Sequence, residues 1–171
     1  VYKASFKNVN SSGKNSDKYT SNLSMEGMSS FLQETSFPLI KTNEITNKIL
    51  TPKIAFRYSP KDSRDISTSE KKIGIGNIFE INRIGEDDTV EPGGSMIIGL
   101  NYQKINNQID KKEFEFEIAN SIRAQKENKL PVQSTINKTT SDLVGRAFFS
   151  PNDIFNISYN FSLDNDLNTL N

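Results

Sequence analysis

The chain has 171 residues, enough for one domain with a sizeable core, and its 21 basic and 21 acidic side chains cancel, so nothing points to a nucleic-acid partner. It lacks cysteine and histidine, which removes the best thiol nucleophile and the commonest general base, so no catalytic residue, cofactor or metal site is expected. Mean hydropathy is −0.58 and no long apolar run occurs, which excludes a transmembrane helix but not transmembrane strands, because these show lipid only every second residue.

Seven extended segments are predicted from apolar residues recurring at period two. The first is Val1–Val9, with Tyr2, Ala4 and Phe6 on one face. The second is Ser21–Ile40, where Leu23, Met25, Phe31, Phe37 and Leu39 share a parity. The third, Ile49–Ser59, sets Ile54, Phe56 and Tyr58 against Lys53, Arg57 and Ser59, with Pro52 tolerated near its entry. The fourth, Ser95–Lys104, sets Met96, Ile98, Leu100 and Tyr102 against Gly99, Asn101 and Gln103. In the fifth, Glu113–Gln125, Phe114, Phe116, Ile118, Ile122 and Ala124 oppose Glu115, Glu117, Ser121 and Arg123. The sixth is Ser141–Ser150.

The seventh, Ile154–Asp164, alternates Phe155, Ile157, Tyr159, Phe161 and Leu163 with Asn156, Ser158, Asn160, Ser162 and Asp164. Globular strands average about 5–6 residues, whereas an outer-membrane strand needs about 9–11. The expected fold is all-β: an antiparallel up-and-down meander forming part of a large transmembrane β-barrel. Residues 1–171 are expected to be one partial barrel domain, cut from a longer chain.

The connections after strands one, three and five are long (Asn10–Thr20, Pro60–Gly94, Lys126–Thr140). Those after strands two, four and six are shorter (Lys41–Lys48, Ile105–Lys112, Pro151–Asp153). In a meander this sorts long loops to one end, as outer-membrane barrels do.

Glu86-Asp87-Asp88 reads as a solvated loop before it reads as a cation site. Asp164-Asn165-Asp166 starts like a calcium loop without its glycine or closing glutamate. Gly74-Ile-Gly76 lacks the context of a dinucleotide site. Thr68–Lys71 offers at most one helical turn. Glu115, Glu117 and Arg123 share a polar face that meets bulk water in a sandwich or a hydrated lumen in a barrel. Lys71-Lys72 and Lys111-Lys112 are solvated pairs that suit anionic head groups at a membrane. Tyr2, Phe37, Tyr58, Tyr102, Phe149 and Tyr159 lie on apolar strand faces near strand ends, where they suit either the interfacial girdle of a barrel or the ordinary core of a sandwich.

Leu50-Thr-Pro-Lys-Ile-Ala-Phe-Arg-Tyr-Ser-Pro60, then Asn77-Ile-Phe-Glu-Ile-Asn-Arg-Ile-Gly-Glu-Asp-Asp88, then Glu91-Pro-Gly-Gly-Ser-Met-Ile-Ile-Gly-Leu100 with Asn101-Tyr102 form a more specific pattern. Together with Ser36-Phe-Pro-Leu-Ile40, this resembles the barrel domain of the LptD-type lipopolysaccharide (LPS) assembly proteins. The resemblance covers about residues 21–164, and it implies delivery of LPS to the outer leaflet of a Gram-negative outer membrane. It also implies LPS as cargo, an LptE-type lipoprotein plug, periplasmic LPS bridge proteins and outer-membrane lipid as partners. Asn82, Arg83, Gly85 and Asp88 fall on the family's loop signature, placed in or over the lumen. The competing readings are another outer-membrane barrel, such as a porin or nutrient receptor, and a soluble β-sandwich binding module.

Overall fold

The computed structural model describes residues 1–13, 22–60 and 64–164. Among these residues eight strands form one sheet: β1 Tyr2–Gly13, β2 Asn22–Ser36, β3 Leu39–Thr42, β4 Thr46–Ser59, β5 Gly93–Asn106, β6 Lys111–Arg123, β7 Leu143–Phe149 and β8 Ile157–Leu163. The spatial order is β1-β2-β4-β5-β6-β7-β8, with β3 also on β4, and every pairing is antiparallel. The all-β meander expected from the alternation is present. Among the described residues the sheet is open, with β1 and β8 at its edges.

Two strands differ from expectation. The second segment is interrupted at Phe37-Pro38, so β2 meets β4 at Ser36↔Lys53 and β3 resumes at Leu39↔Leu50. Pro52 faces this gap: its carbonyl accepts the Phe37 N–H at 3.0 Å, and its own missing N–H falls where no strand needs one. The last segment is shorter than the eleven residues expected. Asn152 Oδ1 accepts the N–H groups of Ile154 (3.1 Å) and Phe155 (2.8 Å), holding them in a turn until β8 begins at Ile157. The expected Asn10–Thr20 loop lies partly in β1, and residues 14–21 lie outside the described residues, as do Asn165 and Asp166.

Among the described residues, the long connections after β4 and β6 lie at one end of the sheet and the short ones at the other, as expected. At one end Asn107 N–H donates to Ile45 O (2.8 Å) and Lys111 Nζ reaches Asp153 Oδ1 (2.8 Å), bringing three short turns together. At the other end Ile66 N–H donates to Lys129 O (2.9 Å), joining the connection over residues 60–92 to that over 124–142.

The register puts Tyr2, Ala4 and Phe6, Phe31, Ile54, Phe56 and Tyr58, Met96, Ile98, Leu100 and Tyr102, Phe114, Phe116 and Ile118, Ala147 and Phe149, and Ile157, Tyr159 and Phe161 on one face. The other face carries Lys7, Ser30, Arg57, Ser59, Ser95, Asn101, Glu115, Glu117, Ser121, Arg123 and Arg146, with a few aliphatics between them. Burial is the reverse of a soluble sheet. Phe6 is 76% exposed and Tyr159 59%, whereas Arg57 is 4% and Ile97 0% exposed.

The core lies on the polar side. Leu32, Ala55, Ile97, Ala119 and Val144 meet Ile73, Ile78 and Ile84 from the first long connection and Leu130 and Ile136 from the second. Each buried Ile, Leu or Val contributes about 1.5–3 kcal/mol toward holding these connections down. A sandwich needs its apolar face covered by a second sheet; among the described residues nothing covers it.

Candidate functional site

The connection from Arg64 to Pro92 is folded by its own polar side chains before it reaches the sheet. Asn77 Oδ1 accepts the Gly74 N–H (2.8 Å), while its Nδ2 donates to Lys72 O and Arg83 O (both 3.1 Å). That knot sets Ile78 into the core and lays Phe79 on β5. Gly99 makes the approach possible, because a Cβ there would stand 2.6 Å from Phe79 Cζ. Lys53 Nζ sits over the same ring, 5.5 Å from its centroid. A second turn follows. Gly85 takes φ +74°, donates to Asn82 O (3.1 Å), and Asn82 Nδ2 donates to Glu86 O (3.2 Å).

Between these turns Arg83 enters the polar face and is fully buried. Its Nε donates to Glu91 Oε2 (2.7 Å) and its NH2 to Glu91 Oε1 (2.5 Å), a two-point pair. Its remaining donors reach Ser121 Oγ on β6 (2.8 Å) and Ser95 Oγ on β5 (3.2 Å). Arg57 from β4 approaches Glu91 Oε2 at 3.2 Å and donates to the backbone oxygens of Glu91 (3.0 Å) and Ile81 (3.1 Å). Arg123 from β6 pairs with Glu91 Oε1 and donates to Pro92 O (2.7 Å). Lys7 from β1 donates to the carbonyls of Glu86 and Thr89. Four strands thus hold one connection by its backbone and by one carboxylate.

Three guanidinium groups around one buried carboxylate leave an excess of positive charge. Burying ions is expensive, and the arrangement stands because the donors are met by carboxylate, carbonyl or hydroxyl oxygens. Burial pushes the Glu91 carboxyl up, but Arg83, Arg57 and Arg123 together outweigh it and hold the group down at about 2. The family model described as LPS transport system D matches residues 2–171. The chain belongs to the LptD family.

The LptD resemblance drawn from Leu50–Tyr102 is therefore borne out, and LPS transport is the family's business. None of the curated proteins compared with the chain matches it. Within this LptD chain the four signature residues part company. Arg83 is the buried centre, Asn82 and Gly85 shape the turn that delivers it, and Asp88 stands at the surface in an ion pair with Arg64. Glu91, Arg57 and Arg123, the other half of the cluster, were not picked out as site residues from sequence. Their signal was present: two arginines at the loop ends of polar strand faces, and an isolated glutamate before Pro92-Gly-Gly94.

Glu115, Glu117 and Arg123 do share a face, as expected, but they do not pair with one another. Arg123 turns to Glu91, whereas Arg146 of β7 bridges Glu117 (2.6 Å) and Glu115 (3.2 Å). Lys112 (2.7 Å), Gln103 (2.8 Å) and Asn101 (3.2 Å) complete the shell around Glu115. Glu86 accepts from Ser69 (3.3 Å) and Asp88 is paired, so Glu86-Asp87-Asp88 is a loop tied by protein contacts. Among the described residues no group of three or more acidic side chains is placed to hold a metal. The arrangement is a clamp and a charged wall.

Proposed function

We propose that this LptD chain is an arc of an outer-membrane β-barrel that delivers LPS to the outer leaflet. Its apolar face lies against lipid and its polar face lines a hydrated passage for the saccharide. The observation that carries this is the inverted sheet: large apolar side chains exposed along every described strand of the meander, and a polar face covered by the chain's own connections. Membrane strands present this alternation because only one face meets hydrocarbon. The connection over residues 64–92, with Asn82, Arg83, Gly85 and Asp88, is an inward-folded lining of the passage, fixed by the Arg83–Glu91 clamp. Residues 1–171 then belong to one partial barrel domain, completed by strands that pair with β1 and β8.

The family implies an LptE-type plug in the lumen, periplasmic bridge proteins as donors of LPS, and residence in the outer membrane of a Gram-negative bacterium. Depleting the protein from its cells tests the reading. Newly made LPS should accumulate inside and fail to reach the surface, while other outer-membrane proteins still assemble. Unchanged surface LPS would contradict it.

A further inference from the structure

Toward the short turns the apolar face ends in a row of lysines. Lys41 of β3 stands opposite Lys48 of β4, and Lys48 stands opposite Lys104 of β5. Lys48 shares the parity of Leu50, Ile54 and Phe56, and Lys104 that of Leu100 and Tyr102, so the row lies on the apolar side of the sheet. One step up the strands the facing residues are Leu39, Leu50 and Tyr102. On β6 and β7 the lysine row continues as Phe114 and Phe149. Phe114 packs on Tyr102 with ring centroids 6.0 Å apart.

The row stands at a definite height. From Lys48 to Tyr58, at the loop end of β4, the strand runs about 33 Å at about 3.3 Å per residue, and a tilt of about 35–45° leaves about 25 Å, the height of the apolar band of a membrane barrel. The lysines thus mark the level where hydrocarbon gives way to head groups at the short-turn end. Long lysine stems cover apolar surface at such a level while the ammonium group stays in the polar layer.

Like charges directly opposite each other in a sheet repel. Lys104 is answered by Glu113 Oε2 at 2.7 Å, and Lys111, one row beyond, by Asp153 Oδ1 at 2.8 Å. The ammonium groups of Lys41 and Lys48 have no hydrogen-bond or ion-pair partner among the described residues, and both residues are exposed. Two unanswered cations beside an exposed apolar row fit an anion that carries an apolar tail. A simple anion meets the charges and leaves Leu39 and Leu50 bare. A phosphodiester between the two ammonium groups, with acyl chains running up over Leu39 and Leu50, meets both. We propose that Lys41 and Lys48 bind the phosphate of an anionic glycerophospholipid in the leaflet at the short-turn end. The proposal rests on the reading that the apolar face meets hydrocarbon.

The test uses the whole protein as its cells make it, purified in detergent, with heat-modifiable gel migration as the check on folding. Phosphatidylglycerol, or phosphatidylcholine with the same chains, is titrated in, and bound lipid is counted by native mass spectrometry. The tightest-bound phosphatidylglycerol should be held at least fivefold more tightly than phosphatidylcholine. Lys41→Gln with Lys48→Gln should abolish that preference, Lys41→Arg with Lys48→Arg should keep it, and Lys126→Gln, at the opposite end, should leave it unchanged. An undiminished preference in the double glutamine variant overturns the site. If that variant fails to fold, Lys41→Gln alone decides, and an unchanged preference there overturns it. Displacement by an equal concentration of glycerol phosphate makes this a site for free phosphate and overturns the lipid, and displacement by lipid A assigns the row to cargo and overturns it too. Loss of the preference's dependence on these lysines in protein that still inserts into bilayers removes the site alone. Protein that stays dispersed without detergent or lipid removes the reading beneath it as well.

Discussion

Arg83 and Glu91 stand eight residues apart in one connection and close it on itself through two parallel hydrogen bonds, at 2.7 and 2.5 Å. Because Arg57 and Arg123 reach the same carboxylate from β4 and β6, the pair also rivets the connection to the sheet. Removing one partner from a buried pair strands the others and typically costs about 3–5 kcal/mol. Glu91→Gln should therefore release residues 64–92 from the polar face. Hydrogen exchange should show lost protection at Ile78 and Arg83 while the β5–β6 amides stay protected.

Arg83→Lys should be nearly as damaging as Arg83→Ala. An ammonium cannot make two parallel bonds to Glu91 while also reaching Ser121 and Ser95. Limited proteolysis within residues 64–92 is the readout: both variants should be cut at rates within severalfold of each other, and far faster than the unaltered protein.

The clamp has a defined pH range. The Glu91 carboxyl is held down at about 2, below its ordinary value of 4.5. A depressed carboxylate contributes its stabilisation in full above the unfolded value and loses it as pH falls through the folded one. Docking of the connection should thus be unchanged from neutral pH to about 5, weaken below 4.5 and fail near pH 2. Protease susceptibility across a pH series, with an acid-stable protease at the low end, checks this.

Two glycines are filled by neighbouring rings. At Gly145 a Cβ would lie 2.7 Å from Glu117 O, a backbone atom, and would strike the Phe161 ring. At Gly99 the nearest obstacle is the Phe79 side chain. Gly145→Ala should therefore destabilise the sheet more than Gly99→Ala, each within the range of about 1–3 kcal/mol for overpacking. Denaturant unfolding in detergent should rank them in that order.

How much of this was written in the sequence follows from periodicity. Strand positions and the split into faces were legible because Phe56, Ile98 and Phe116 recur at period two. The Phe37-Pro38 interruption and the late start of β8 were not, because they depend on single contacts, from Phe37 to Pro52 and from Asn152 to the two residues after Asp153. The inward folding of the long connections was hidden too. Ile73, Ile78 and Ile84 show no period and become a core only when they meet Ala55 and Ile97. Arg83 was found through the LptD-like signature; Glu91 was not, since its partners lie 34 residues before it on β4 and 32 after it on β6.

The central claim is that the exposed apolar face meets hydrocarbon and the polar face meets water. The chain has no cysteine, so single cysteines can carry spin labels one at a time at Phe56, Ile98 and Ala147 and at Lys53, Gln103 and Ser158. Measured in membranes, relaxation by oxygen should dominate at the first three and relaxation by a water-soluble nickel chelate at the second three. Equal accessibility of the two sets, or a water-exposed first set, would contradict the account.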